Sequence, residues 1–254
     1  MEPDTSEFYS DFVAQVAELR NDTKTADFTI ACGPDVYKVH KLVLRLHSKF
    51  FARLFKNDFQ EARENRITLA DDFRRPVGGM IDYFYRFNYY FTRDFYCNND
   101  SEEEAASREC EPRTGQDECM PSELHAHAYM YNLAEKYDIP GLKKLAKYKF
   151  ATSADWLLYR ASDGWHRYED EKVFTRHAKE FLDVIPYVYK NSAPNDTTLR
   201  ESIVKVWRGR ATELKDVVKK EQWAELLEKC PEMGVDMIMG LGAEDEDCEK
   251  EVSK

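Results

Sequence analysis

The chain has 254 residues, enough for one large domain or two small ones, and 43% of them are hydrophobic, which excludes a wholly disordered protein. Its formal net charge is −11. This balance argues against direct binding to nucleic acid or to anionic membranes, because both need a cationic surface. No stretch approaches the roughly 18 apolar residues of a membrane span.

The cysteines and the N-terminus indicate a reducing compartment. The six cysteines form no CxxC pair, and the first twelve residues show neither the basic region nor the apolar region of a secretion signal. We therefore expect free thiols rather than a disulfide framework, and a protein of the cytoplasm, the nucleus or both.

The first elements are a helix and a β-hairpin. Residues 7–20 place Phe8, Phe12, Val16 and Leu19 at helical spacing, which predicts one apolar stripe. Apolar residues then alternate with polar ones over 27–39, on both sides of a turn signal at Gly33-Pro34-Asp35.

Short helices and a strand follow the hairpin. Residues 40–55 are helical in pattern, with a break near His47 and Ser48 where Ser48 suits a helix N-cap. We predict a strand at Ile67–Leu69 and a helix over 74–87. The inward face of that helix would carry Val77, Met80, Ile81 and Phe84.

The composition changes twice in the rest of the chain. Residues 94–122 are acidic and almost free of aliphatic side chains, which predicts a flexible insertion. Two helices separated near Pro140 follow, and later helices are predicted over 172–189, from Thr198 and over 222–230. Pro186 would end or kink the first of these, Thr198 to Glu201 reads as a capping box, and the four tryptophans read as core or interhelix anchors.

Sequence motifs for catalysis are absent. The chain has no GxGxxG, P-loop, HExxH or GxSxG motif, so we predict that it is not an enzyme and has no cofactor. Zinc ligands occur as Cys97, Cys110, Cys119, His125 and His127, but their wide spacing favours incidental thiols over a metal site. His40 and His47 are best explained as structural residues at a strand–helix junction and a helix end.

Several linked segments together resemble the BTB/POZ domain. They are Asp27-Phe28-Thr29-Ile30, Tyr37 to Lys41, the series Leu44, Ser48, Phe50, Phe51, Leu54 and Phe55, then Ile67 to Asp72, Met80 to Tyr85, and Leu133 to Leu142. The resemblance covers about residues 26–150. It departs at Arg86-Phe87, where the family often has Thr-Gly, and in the length of the acidic insertion.

This resemblance implies an α+β fold in which helices surround a small β-sheet, followed by an all-helical C-terminal region. The corresponding domain limits are 7–150 for the BTB/POZ domain with its insertion, 151–242 for the helical region and 243–254 for an acidic tail. The helical region resembles the less defined segment that follows the domain in many fungal-type BTB proteins.

The resemblance also implies a protein-interaction module. In the family, a helix ahead of the first strand can pack across a two-fold axis, so Phe8, Phe12 and Val16 are candidate contacts of a homodimer or a BTB heterodimer. The alternative is that the same stripe packs on its own domain.

Phe59, Gln60 and Glu61 fall where many BTB adaptors of ubiquitin ligases carry a hydrophobic-x-Glu triplet that contacts the cullin scaffold. An exposed aromatic ring suits such an anchor, because it buries a large area at little cost in side-chain entropy. One alternative is that Phe59 only closes the loop over Phe55. A competing function is a scaffold or transcriptional co-regulator without a ligase.

Overall fold

The protein is described here by a computed structural model that covers residues 5–91, 122–158, 171–193 and 195–239. Its first elements are α1 (Thr5–Leu19), β1 (Phe28–Cys32), β2 (Asp35–Val39), α2 (Lys41–His47), α3 (Lys49–Lys56), α4 (Gln60–Arg63), β3 (Arg66–Thr68) and α5 (Arg74–Arg86). Seven further helices are α6 (Glu123–Lys136), α7 (Pro140–Leu157), α8 (Glu171–Asn191), α9 (Thr198–Gly209), α10 (Ala211–Val217), α11 (Lys220–Lys229) and α12 (Pro231–Met239).

These elements divide into two compact units. Of the described residues, the first unit contains those up to Ser122 together with Tyr129–Leu145, and the second contains Glu123–Ala128 and those from Ala146 onward. All strands that the structure describes belong to the first unit, and the described elements of the second unit are helices. The predicted α+β fold followed by a helical region is confirmed.

The sheet of the first unit has three strands in the order β2-β1-β3. β1 pairs antiparallel with β2 through a two-residue turn, in which Gly33 has a φ of 54° that favours glycine. β3 pairs with β1 in parallel, and Ile30 lies opposite Ile67. Every residue of β1 is buried, so its sequence alternation does not correspond to a solvated face.

Ser48 separates α2 from α3, as predicted. Its side chain accepts the backbone N–H of Phe51 at 3.0 Å, which is the expected N-cap bond. The same hydroxyl donates to the carbonyl oxygen of Tyr137 at 2.6 Å. Ser48 therefore caps a helix and also ties that helix to the segment that joins α6 to α7.

The core of the first unit forms around α5. The predicted inward residues Val77, Met80, Ile81 and Phe84 are each fully buried. α5 ends at Phe87, whose φ of 55° lies in the left-handed region. This is the position where the resembled family often has glycine, the residue that adopts such a φ at the least steric cost.

Two helix-boundary predictions in the second unit need correction. α8 continues past Pro186 to Asn191, so this proline does not end the helix, and the other predicted outcome, a kink at Pro186, stays a prediction. α9 begins at Thr198 as predicted, but its N-cap is Thr197, which donates to Glu201, while Asp196 accepts the N–H of Thr198. The capping partners are thus Asp196 and Thr197 instead of Thr198.

The tryptophan prediction holds in part. Trp207 and Trp223 meet edge to face, with ring centroids 4.2 Å apart, and so join α9 to α11. Trp156 is 69% exposed and is not a core residue, because it lies on the outward side of α7, although its ring is 6.4 Å from His177. Trp165 lies outside the described residues, as do the acidic tail and all of the predicted insertion except buried Ser122.

Candidate functional site

The segment between α3 and β3 presents the predicted partner-binding triplet. α3 ends because Asn57 is extended and its side-chain amide donates to the carbonyl oxygen of Arg53 at 2.8 Å. The chain then starts the one-turn helix α4, with Phe59 as its N-cap residue. The carbonyl oxygen of Phe59 accepts the N–H groups of Ala62 and Arg63, both at 3.1 Å. The backbone of Phe59 therefore has a structural role, because it forms the first hydrogen bonds of α4.

The ring of Phe59 is 50% exposed. The alternative prediction for this ring is that it closes the loop over Phe55. The rings nearest Phe55 are those of Phe28 and Phe51, with centroids at 4.8 and 6.1 Å, and the described part of the chain shows no ring contact for Phe59. An aromatic side chain of this exposure is available to a partner, since burying it would remove a large apolar area from water.

The charges around this ring are mostly paired. Asp58 forms an ion pair with Arg63 at 3.5 Å, and the Gln60 amide donates to Glu64 at 2.7 Å. Glu61 is half-buried, and no described cation forms an ion pair with its carboxylate. The triplet therefore offers a half-exposed ring beside a carboxylate that is open to a cationic group.

The helix α1 presents the predicted dimer residues unequally. α1 contacts α5 of its own unit, and Arg20 just beyond it donates to Asp82 at 3.3 Å. Val16 is half-buried on this side, whereas Phe12 is 59% exposed. The side chain of Phe8 lies outside the described residues. One part of the stripe thus packs on its own unit and another part remains uncovered.

A buried polar cluster, which the sequence patterns did not single out, lies in the first unit. The carboxylate of Asp72 is 4% exposed and accepts bonds from the Lys136 ammonium at 2.9 Å and the Tyr137 hydroxyl at 2.5 Å. Its backbone oxygen accepts the Cys32 thiol at 3.2 Å. Asp72 and the pair Lys136 and Tyr137 both lie in sequence segments that resemble the BTB/POZ domain. This resemblance is the one sequence feature that could have pointed to the cluster.

This cluster has a structural role. Burial and the neighbouring Asp72 carboxylate raise the pKa of the Cys32 thiol to about 11, which keeps it protonated and unreactive at neutral pH. Burial and the same carboxylate raise the pKa of the Tyr137 hydroxyl as well. The cluster joins β1, the segment after β3 and the end of α6 into one hydrogen-bonded unit.

The histidines considered as ligands have structural partners. His127 bonds to Glu123 at 3.3 Å, and the ring of His125 lies 6.0 Å from that of Tyr187. Cys97, Cys110 and Cys119 lie outside the described residues. Within the described ranges, no group of three His, Cys, Asp or Glu side chains is arranged to hold a metal ion.

The helix-boundary histidines behave as predicted. His40 precedes α2, where its backbone N–H donates to the Tyr85 hydroxyl at 2.9 Å. His47 ends α2 among the rings of Tyr83, Phe84 and Phe87, and burial lowers its pKa.

None of the described helices is both long and apolar enough to cross a membrane.

Comparison with known proteins matches part of the first unit to a protein family. The model of the BTB/POZ domain family matches residues 16–98. Kelch repeat and BTB domain-containing protein A55 of Vaccinia virus (strain Western Reserve) is 29% identical over 85 residues, which is 34% of this chain. Kelch-like protein 30 of Mus musculus is 32% identical over 75 residues, which is 30% of this chain.

The matched segments are small parts of those relatives. They cover 15% of the viral protein and 13% of the mouse protein. Family match, three-stranded sheet and surrounding helices agree on the same part of the sequence. Residues 16–98 therefore belong to a BTB/POZ domain, a protein-interaction module, and the chain is a BTB domain-containing protein.

Proposed function

We propose that this protein is an adaptor that links a partner protein to a cullin-type ubiquitin ligase scaffold through Phe59, Gln60 and Glu61. The observation that carries the proposal is the 50% exposed ring of Phe59 beside the carboxylate of Glu61, with which no cation of the described residues forms an ion pair. The ring would enter an apolar pocket of the scaffold, and Glu61 would fix the register against a basic side chain. Truncating such an anchor typically costs about 2 kcal/mol or more of binding free energy.

The test is a pulldown with the N-terminal region of the host cullin. We expect the wild-type chain to bind and the double variant Phe59→Ala with Glu61→Ala to lose binding. The matched control is Val36→Ala with Asp71→Ala, which removes a 52% exposed apolar side chain and an exposed acid elsewhere in the same unit. Binding retained by the Phe59 and Glu61 variant would exclude the triplet as the anchor.

A wild-type chain that binds no cullin would favour the second function, a scaffold or transcriptional co-regulator. Either function fits a location in the cytoplasm, the nucleus or both, since Cys32 and Cys230 are free thiols.

We also propose that the adaptor dimerises through α1, as a homodimer or with another BTB protein. The exposed ring of Phe12 supports this, because a large apolar group that the single chain leaves uncovered gains from burial in an interface. Light scattering across a concentration series should give the dimer mass for the wild-type chain and the monomer mass for Phe12→Asp. Ala14→Asp adds the same charge on another side of α1 and should remain dimeric. A wild-type monomer at micromolar concentration would end the homodimer proposal.

A further inference from the structure

A groove in the second unit has no role in the function described so far. It lies where α8 contacts both α10 and α11, and its volume is about 290 Å³. Its lining residues are Thr175, Arg176, Lys179, Leu182, Val217, Val218 and Gln222. Leu182 and Val218 are each 7% exposed, so the groove has an apolar base that is already part of the packed helices.

One wall of this groove is cationic. Arg176 and Lys179 lie one helical turn apart on α8, and both are exposed. Neither makes an ion pair with a carboxylate in the described part of the chain; Asp183 acts on Lys179 electrostatically without forming such a pair. The lining of this apolar depression thus contains two cations and no carboxylate, in a chain whose net charge is −11.

The size of the groove favours a peptide side chain over a small-molecule ligand. Pockets for drug-sized ligands usually enclose about 300–1,000 Å³, whereas this groove is at the lower limit and open to solvent. An open depression of this size accommodates one apolar side chain of an extended segment, while the neighbouring residues of that segment stay on the surface.

We propose that the groove binds an acidic–apolar peptide segment of a partner protein. One apolar side chain packs on Leu182, Val217 and Val218, and an adjacent carboxylate bonds to Arg176 and Lys179. Arg176 suits this role because its guanidinium can hold a carboxylate with two parallel hydrogen bonds. This inference deepens the adaptor function, since it gives the second unit the chemistry for recruiting a partner, and it rests on that function only in treating the partner as a protein.

The experiment selects a random peptide phage library on the immobilised full chain. We expect the enriched sequences to contain an apolar residue next to Asp or Glu, and the best synthetic peptide to bind in a fluorescence polarisation assay. Binding should weaken as salt rises from about 50 to about 500 mM, because exposed charges are screened. No enrichment, or enrichment of neutral or basic sequences, would overturn the proposal.

Charge-reversed variants locate the binding. Arg176→Glu with Lys179→Glu should weaken the selected peptide at least tenfold, and replacing the peptide's acidic residue by its amide should do the same. The matched control, Lys190→Glu with Lys205→Glu, reverses two exposed lysines of α8 and α9 outside the groove and should bind normally. Equal affinity for the two charge-reversed variants would refute the site.

The apolar contact has its own variant. Val217→Ala should weaken the peptide several-fold while thermal unfolding monitored by circular dichroism shows the helices intact; unchanged affinity would refute the apolar half of the site. Failure of the groove leaves the cullin pulldown unaffected, because the pulldown depends on Phe59 and Glu61. Failure of the pulldown likewise leaves the peptide assay interpretable.

Discussion

Each compact unit contains a buried carboxylate that joins segments distant in sequence, but the surroundings of the two carboxylates differ. Asp72 in the first unit bonds to Lys136 and Tyr137, within a fold that also contains a sheet. Asp236 in the second unit bonds to Arg200 at 2.6 Å and to the Tyr189 hydroxyl at 2.9 Å. Three helices, α8, α9 and α12, meet at Asp236.

This difference between the units indicates which physical constraints allow a sequence to be assigned to a family. Asn65, Phe87 and Asp138, the described non-glycine residues with positive φ, all lie in the first unit. Such backbone positions, together with buried polar bonds, accept few residue types. Packed amphipathic helices accept many sequences of similar volume and pattern. The family match, over residues 16–98, likewise lies in the first unit.

The largest expected effect comes from breaking the buried cluster of the first unit. Asp72→Ala leaves the buried Tyr137 hydroxyl without its acceptor, and removing one partner of such a buried network costs about 3 kcal/mol of unfolding free energy. Urea denaturation measures this loss. Asp71→Ala is the control, because Asp71 is exposed and its replacement should change stability by less than about 0.5 kcal/mol. Equal effects of the two variants would contradict the structural role of the cluster.

The next effect concerns Gly141, where α7 passes close to α5. No described glycine of the second unit makes such a close contact. A Cβ atom at Gly141 would clash with the Tyr83 hydroxyl, and Tyr83 is 6% exposed. Gly141→Ala should therefore cost about 2 kcal/mol through overpacking. Combining it with Tyr83→Phe removes the clashing oxygen and leaves the ring carbon at 3.4 Å, so stability should largely return. Absence of this rescue in thermal unfolding would show that another contact causes the loss.

Acid should open the second unit before the first. Burial lowers the pKa of His125 to about 4 and also lowers that of His127, whereas an unfolded histidine titrates near 6.5. The unfolded state thus binds more protons below about pH 6.5, and stability present above that pH is lost as pH falls toward the folded pKa. Each such histidine removes at most about 1.4 kcal/mol per pH unit.

Tryptophan fluorescence measures this loss, because the described tryptophans, Trp156, Trp207 and Trp223, all fall in the second unit. Hydrogen exchange of the β1 amides follows the first unit, where burial lowers the pKa of His47. His125→Leu should reduce the slope of stability against pH for the second unit. An unchanged slope would mean that other groups control the acid transition.

The smallest effect tests the left-handed end of α5. Phe87 has a φ of 55°, a conformation that costs about 1 kcal/mol for a residue with a Cβ atom. Phe87→Ala and Phe87→Gly both remove the ring contact with His47, so they differ mainly in backbone strain. The glycine variant should be more stable than the alanine variant by about 1 kcal/mol in urea denaturation. If the alanine variant is as stable as the glycine variant, or more stable, the backbone at this position is not strained.

Local patterns predicted the elements that depend on neighbouring residues. The hairpin, the Ser48 cap and the inward face of α5 follow from alternation, a hydroxyl at a helix start and helical spacing. The burial of both faces of β1 was not predictable from its alternation, because it depends on how other elements pack around the strand. The helix of Pro186 likewise continues because tertiary packing outweighs one missing hydrogen bond.

The candidate sites divide in the same way. The position of Phe59 outside the apolar pattern suggested a surface residue, and its side chain is half exposed. The role of the triplet in binding cullin stays a prediction, as does dimerisation through Phe8, Phe12 and Val16. Arg176 and Lys179 gave no signal in the sequence, since two cations on a helix usually mark a solvated face. Their significance comes from Val217 and Val218, which α10 and its C-cap bring to the same groove.

The sequence by itself determined that this chain contains a BTB/POZ domain and most of its secondary structure, because both depend on local spacing and on residue types that few backbones accept. Tertiary structure alone decided the Asp72 cluster, the contact of Gly141 with Tyr83 and the groove on α8. Each of these joins residues that are separated by many positions along the chain. Long-range contacts of this kind arise from the packing of whole elements, which local patterns constrain only weakly.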